Sequence, residues 1–175
     1  MTLKEVWGGF RNKHPSFKAA VYMGIASLTV FIHLLLNREP LNITSSAKEA
    51  YQVYGLDSTA SIVALALEDP IREEILYRGP VWIIVVITAW LYRRYPDYKA
   101  IKWLGYGLAA VVLVVLASRW APGHRFFPVT IFCYGLVWGY LVFATRNLLY
   151  PVIFHAGSNS IALIGIMLIS HFSSR

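Results

Sequence analysis

Charged side chains make up only 14% of these 175 residues, against about 25% in an ordinary soluble domain. That shortage argues against a soluble globular protein. The single cysteine, Cys133, rules out a disulfide scaffold, and its place in an apolar run reads as packing. Intrinsic disorder is excluded because 57% of the chain is hydrophobic. No internal repeat or low-complexity tract is visible. Acidic residues are scarce too, at nine against 16 Lys and Arg for a net charge of +7. The basic residues lie on the flanks of apolar runs and form no stripe, so no nucleic-acid partner is expected. Loops facing the cytoplasm and anionic lipid headgroups account for the excess.

Long apolar runs are what the chain does have. Stretches free of Asp, Glu, Lys and Arg fall at Ala19–Leu36, Gly79–Tyr92, Trp103–Ser118, Phe126–Thr145 and Asn147–Ser174. This pattern defines an all-α polytopic membrane protein of about five to six transmembrane helices. Lys4, Arg11, Lys13 and Lys18 precede the first run in the layout of a signal peptide. The run is too long for one and lacks a small-residue cleavage site, so residues 17–36 read as a retained helix with His33 near its end as an interfacial or packing residue.

Residues 37–57 carry Pro40, Asn42, Thr44, Ser45, Ser46 and Gly55, and the expectation is a surface loop. Ser58–Leu67 is ten residues long, about half of a span, and fits an interfacial, re-entrant or broken helix. Asp69-Pro70 has the form of an N-cap followed by Pro at the first helical position, which predicts a helix from Pro70 to about Arg94 with a kink at Gly79-Pro80. Further helices are expected at about 99–118, 127–144 and 148–170. The organisation is then an N-terminal segment, 1–57, and a helical bundle, 58–175, within a single domain.

Three polar groupings stand out. In Glu73-Glu74-Ile75-Leu76-Tyr77-Arg78, Glu74 and Arg78 share a helical face at i, i+4 and can neutralise each other, while Glu73 points about 100° away, free to face a cavity. Ionisable groups cost about 2.5–3.5 kcal/mol each at a membrane-helix centre, so they persist where they pair or function. An interfacial salt bridge at a helix start is the plainer reading. His155 and Asn159 project together at i, i+4 inside the last apolar run, either as an interhelical hydrogen-bond pair or as donors aimed at a substrate. Trp120-Ala-Pro-Gly-His124 follows the helix expected to end near Ser118 and contains a turn signal.

In this order the three groupings resemble the CPBP (CAAX protease and bacteriocin-processing) family of glutamic-type intramembrane proteases. That family carries Glu-Glu-x-x-x-Arg, Phe-x-x-x-His and His-x-x-x-Asn or Asp on successive membrane helices. Residues 73–78 match the first motif and 155–159 the third, and Gly135 to Phe154 resembles the family's approach to the latter. The second motif departs, with Trp120 in place of Phe and Pro-Gly before His124. The resemblance spans about residues 60–170. It implies a CPBP-like helical bundle in which Glu73 is the base that activates water, His124 holds or shares that water, and His155 and Asn159 are oxyanion donors. Glu74 and Arg78 would be supporting groups, and Trp120 would fill the aromatic packing role. A membrane-associated peptide or protein substrate, cut near its C-terminus, is implied. No cofactor is expected, and no acyl-enzyme, because none of the matching motif positions is Ser or Cys.

A zinc-dependent protease using Glu73, His124 and His155 is the rival chemistry, although the His-Glu-x-x-His spacing is absent. A non-catalytic relative, such as a bacteriocin-immunity or assembly factor, is the rival class; retention of Glu73, His124, His155 and Asn159 favours catalysis. A small transporter is disfavoured by the lack of an inverted repeat. The compact chain without a targeting extension fits a prokaryotic cell membrane. With five crossings, Lys4, Arg11, Lys13, Lys18, Arg93, Arg94, Lys99, Lys102 and Arg146 fall on one side. Arg38, Lys48, Arg119, Arg125 and Arg175 fall on the other with the motif residues Arg72 and Arg78. The positive-inside rule then gives a cytoplasmic N-terminus.

Overall fold

The computed structural model describes residues 12–36, 43–123 and 128–172. Every regular element among them is helical. Helix α1 (Pro15–Leu36) starts where proline's missing N–H costs nothing. His14 supports that start, its Nδ1 accepting the Ser16 N–H at 3.3 Å and its carbonyl accepting the Phe17 N–H at 3.0 Å. The side chain of His33 lies outside the described residues.

The expected loop over 37–57 is a correction, because it contains a second helix, α2 (Ile43–Val53). Ala47, Lys48, Glu49, Ala50 and Gln52 are good helix formers, and the segment buries Ala50, with Leu56 just beyond its end. Gly55, at φ 59°, ends the helix. Leu56 N–H returns to Tyr51 O at 3.1 Å and Gly55 N–H to Gln52 O at 3.2 Å, the paired bonds of a left-handed glycine cap.

The helix expected to begin at Asp69-Pro70 has already begun ten residues earlier. Helix α3 (Thr59–Val63), a π-helical turn (Ala64–Glu68) and α4 (Asp69–Tyr77) form one rod. The π turn reconciles Pro70 with a continuous helix. Asp69 N–H bonds Ala64 O, five residues back, so in the same register Leu65 O would pair with residue 70, whose proline has no N–H. A side chain from another helix supplies the missing donor, as described below.

The kink expected at Gly79-Pro80 is present as a 50° bend between the Thr59–Tyr77 rod and α5 (Gly79–Arg94). Pro80 cannot donate to the preceding turn, and its ring crowds the carbonyl four residues back. Helices α6 (Lys99–Trp120), α7 (Pro128–Thr145) and α8 (Leu149–Phe172) lie close to their expected ranges. One difference bears on the site: α6 reaches Trp120 and passes directly into a 3₁₀ turn, Ala121–Gly123, so Trp120 is helical and not a loop residue.

Small residues set the helix spacing. A Cβ on Gly105 of α6 would fall 2.1 Å from Thr88 Oγ1 of α5, and one on Gly139 of α7 would fall 2.3 Å from Leu113 Cδ2 of α6. These backbones approach as they do in membrane bundles, where packing rather than water drives association. One core joins Val81, Val85, Ala109, Leu113 and Val142; a second joins Ala19, Trp120, Trp138 and Leu141. Between α7 and α8, Arg146 takes a left-handed φ of 54°, its carbonyl accepts the Trp82 indole N–H at 2.9 Å, and Asn147 Oδ1 caps Leu149 N–H at 2.9 Å.

Outward faces are apolar, with Ile83, Ile87, Leu104, Leu108, Val111, Ile161 and Ile164 all exposed. Among the described residues, Lys99–Trp120 and Leu149–Phe172 are each long and apolar enough to cross a membrane, and the bent pair Thr59–Tyr77 with Gly79–Arg94 makes a third if it is one span. The protein is an all-helical membrane protein, with two to three such spans by length and composition among the described residues.

Candidate active site

The site forms where α4, the C-terminal end of α6, and α8 converge on the bend. Adjacent glutamates on α4 are separated by the 100° helical step. Glu74 turns inward and is fully buried, whereas the Glu73 side chain keeps 29% of its exposure. The i, i+4 spacing places Arg78 Nη1 3.3 Å from Glu74 Oε1, and both side chains are inaccessible. The pairing expected from the sequence is therefore present, as a buried pair and not a surface bridge.

Arg78 is held mainly by charge and ring faces. Its distance to Glu74 is that of an ion pair, but among the described residues its N–H groups find no aligned acceptor. The guanidinium carbon lies 4.4 Å from the centroid of the Trp120 ring and 5.4 Å from that of Trp138, a cation–π arrangement suited to a desolvated arginine. Gly135 of α7 makes room for it, since a Cβ there would lie 2.9 Å from Arg78 Nη2.

His155 of α8 reaches both carboxylates. Its Nδ1 is 3.0 Å from Glu74 Oε1, and its Nε2 is 3.8 Å from Glu73 Oε2. The ring is 3% exposed and stacks on Trp138, with centroids 4.2 Å apart and planes inclined by 23°. Glu74 thus fixes which nitrogen faces the second carboxylate. Glu73 Oε2 also accepts the Trp120 indole N–H at 2.6 Å. A single water oxygen, with hydrogen bonds of about 2.8 Å, can reach both Glu73 Oε2 and His155 Nε2.

Asn159, one turn beyond His155, is directed elsewhere. Its Nδ2 donates to Leu65 O at 3.0 Å, the carbonyl that the π turn and Pro70 leave without a backbone donor. Asn159 therefore ties α8 to the π turn through one of its two amide hydrogens. His124 lies outside the described residues. Among the described residues no three His, Cys, Asp or Glu side chains are grouped to hold a metal ion.

Glu73, Glu74, Arg78, Trp120 and His155 are thus brought together, and Asn159 is set beside them with a backbone partner. Trp138 escaped the sequence reading, and Gly135 entered it only as the start of the approach to the third motif, because a Trp and a Gly in the apolar α7 look like any packing residues. The chain belongs to the type II CAAX prenyl endopeptidase Rce1-like family, which it matches over residues 55–161. This is a branch of the CPBP proteases whose motifs the sequence resembles, and it marks the chain as a membrane protease. No curated protein and no solved structure matches the chain.

Proposed function

We propose that the protein is an intramembrane endopeptidase that cuts a membrane-associated protein near its C-terminus, with Glu73 as the base that activates water. The observation that carries this reading is the convergence of Glu73 Oε2 and His155 Nε2 at 3.8 Å within the segment matched to the family. Water attacks the scissile carbonyl while Glu73 takes its proton, and the same proton passes to the leaving amine as the tetrahedral intermediate collapses. The oxyanion needs donors. With Nδ1–H given to Glu74, His155 Nε2 donates when the ring carries both protons, and Asn159 retains a second amide hydrogen. His124 is assigned to the water by its motif position. No cofactor enters this reading.

A prenylated peptide ending in a CAAX sequence is the substrate class suggested by the family. The bundle completes five to six crossings with the N-terminus in the cytoplasm, as the loop charges indicate. Glu73→Gln should leave the folded protein in the membrane and lower cleavage of a prenylated CAAX peptide by about 10²–10⁴-fold, the ordinary cost of a lost general base. Turnover above about a tenth of the wild-type rate would overturn the assignment. Activity should also survive dialysis against a strong chelator; loss that zinc restores would make the chemistry metal-dependent.

A further inference from the structure

We propose that Trp120 is a positioning residue for the base: its indole N–H holds Glu73 Oε2 at the water site while its ring face keeps the Arg78 guanidinium on Glu74. The inference rests on the reading of Glu73 as base. It is carried by the residue that departs from the family pattern, since a phenylalanine offers a ring but no donor.

Four observations support it. The N–H to Oε2 distance of 2.6 Å is short for a nitrogen donor, as expected when the acceptor is a carboxylate. The donor comes from the last residue of α6, 47 positions away in sequence. Its ring is 2% exposed and packed against Tyr77, Trp138 and His155, so the N–H direction is set by the core. Finally, Arg78 lies over the same ring at 4.4 Å.

The two contacts divide the charges of the site. Adjacent glutamates compete for one arginine, and a base ion-paired to Arg78 would be fixed on the wrong partner and poorly placed to take a proton. Stacking on Trp120 directs the guanidinium toward Glu74. Glu73 receives a neutral donor in its place, which fixes the carboxylate without supplying a full positive charge. One carboxylate is thereby committed to structure and the other remains for chemistry.

Replacing residue 120 with benzothienylalanine, which substitutes sulfur for the indole N–H in a ring of nearly the same shape, removes the hydrogen bond and retains the ring face. With a prenylated CAAX peptide, kcat should fall by about 10- to 100-fold, the scale of a misplaced reacting group, with KM within about twofold and the melting temperature unchanged. Trp120→Phe should act in the same direction, and Trp90→Phe, at a lipid-facing position, should not. The second readout needs no turnover. Of the six indole N–H resonances, the one missing in Trp120→Phe should move upfield in Glu73→Gln, where the acceptor is no longer charged. Wild-type kcat in the benzothienylalanine protein, or a resonance that Glu73→Gln does not move, overturns the positioning role. These outcomes leave the base assignment standing, which falls only if Glu73→Gln itself remains active.

Discussion

Glu74 and His155, 81 residues apart, meet at 3.0 Å between Oε1 and Nδ1 in a part of the bundle that solvent does not reach. The same oxygen lies 3.3 Å from Arg78 Nη1. One buried carboxylate therefore orients the imidazole and neutralises the arginine, so its loss should disturb fold and site together.

Arg78→Ala should strip Glu74 of its counter-charge and destabilise the protein by about 3–5 kcal/mol, the usual consequence of breaking a buried pair. Arg94→Ala, at an exposed position at the end of α5, should fall within about 0.5 kcal/mol of wild type. Denaturation in detergent compares them, and equal effects would show that the buried pair contributes nothing. The double variant Glu74→Gln with Arg78→Met should be less destabilised than the sum of its single changes, because neither charge is left alone.

Gly135→Ala tests the space reserved for the guanidinium. Its Cβ would stand 2.9 Å from Arg78 Nη2, 3.3 Å from Ala117 Cβ and 3.4 Å from the Trp120 ring. The guanidinium is already flanked by Trp120, Trp138 and Glu74, so a loss of about 1–3 kcal/mol is expected from overpacking. Gly107→Ala, with nothing within 4 Å of its added Cβ, should be neutral or slightly stabilising in a helix. The paired melting temperatures decide between local crowding and a general intolerance of the bundle to added methyl groups.

Asn159→Leu should cost about 0.5–1.5 kcal/mol by leaving the part-buried Leu65 O without a donor. If Asn159 acts only through that bond, activity per folded molecule should be preserved after correction for stability. A further fall in kcat beyond the folded fraction would place its second amide hydrogen on the oxyanion.

Orientation can be read with single cysteines at Ser46 and Lys99 in a Cys133→Ser background. A membrane-impermeant thiol reagent on intact cells should label position 46 and spare position 99. The reverse pattern would invert the membrane orientation, and labelling at both positions would favour six crossings.

The membrane setting, the helices near 99–118, 127–144 and 148–170, the kink at Gly79-Pro80 and the Glu74–Arg78 pair were all determined by the sequence itself. Each depends on a local property: the length of an apolar run, the missing N–H of a proline, or the 3.6-residue period that puts i and i+4 on one face. The helix within 37–57 was hidden because its apolar positions are few and set among polar residues, so that an amphipathic helix of 11 residues reads as a polar connection until it packs against α8. Asp69-Pro70 misled for a related reason. A proline signals a helix start when its neighbours must find backbone partners nearby, but here Asn159 satisfies Leu65 O from a helix 94 residues further on. Only the tertiary structure decided that Trp120 donates to Glu73, that Trp138 stacks on His155 and that Gly135 opens space for Arg78. Those contacts follow from how far each helix slides and turns against its neighbours, which is set by the summed packing of the whole bundle and by no single segment's pattern.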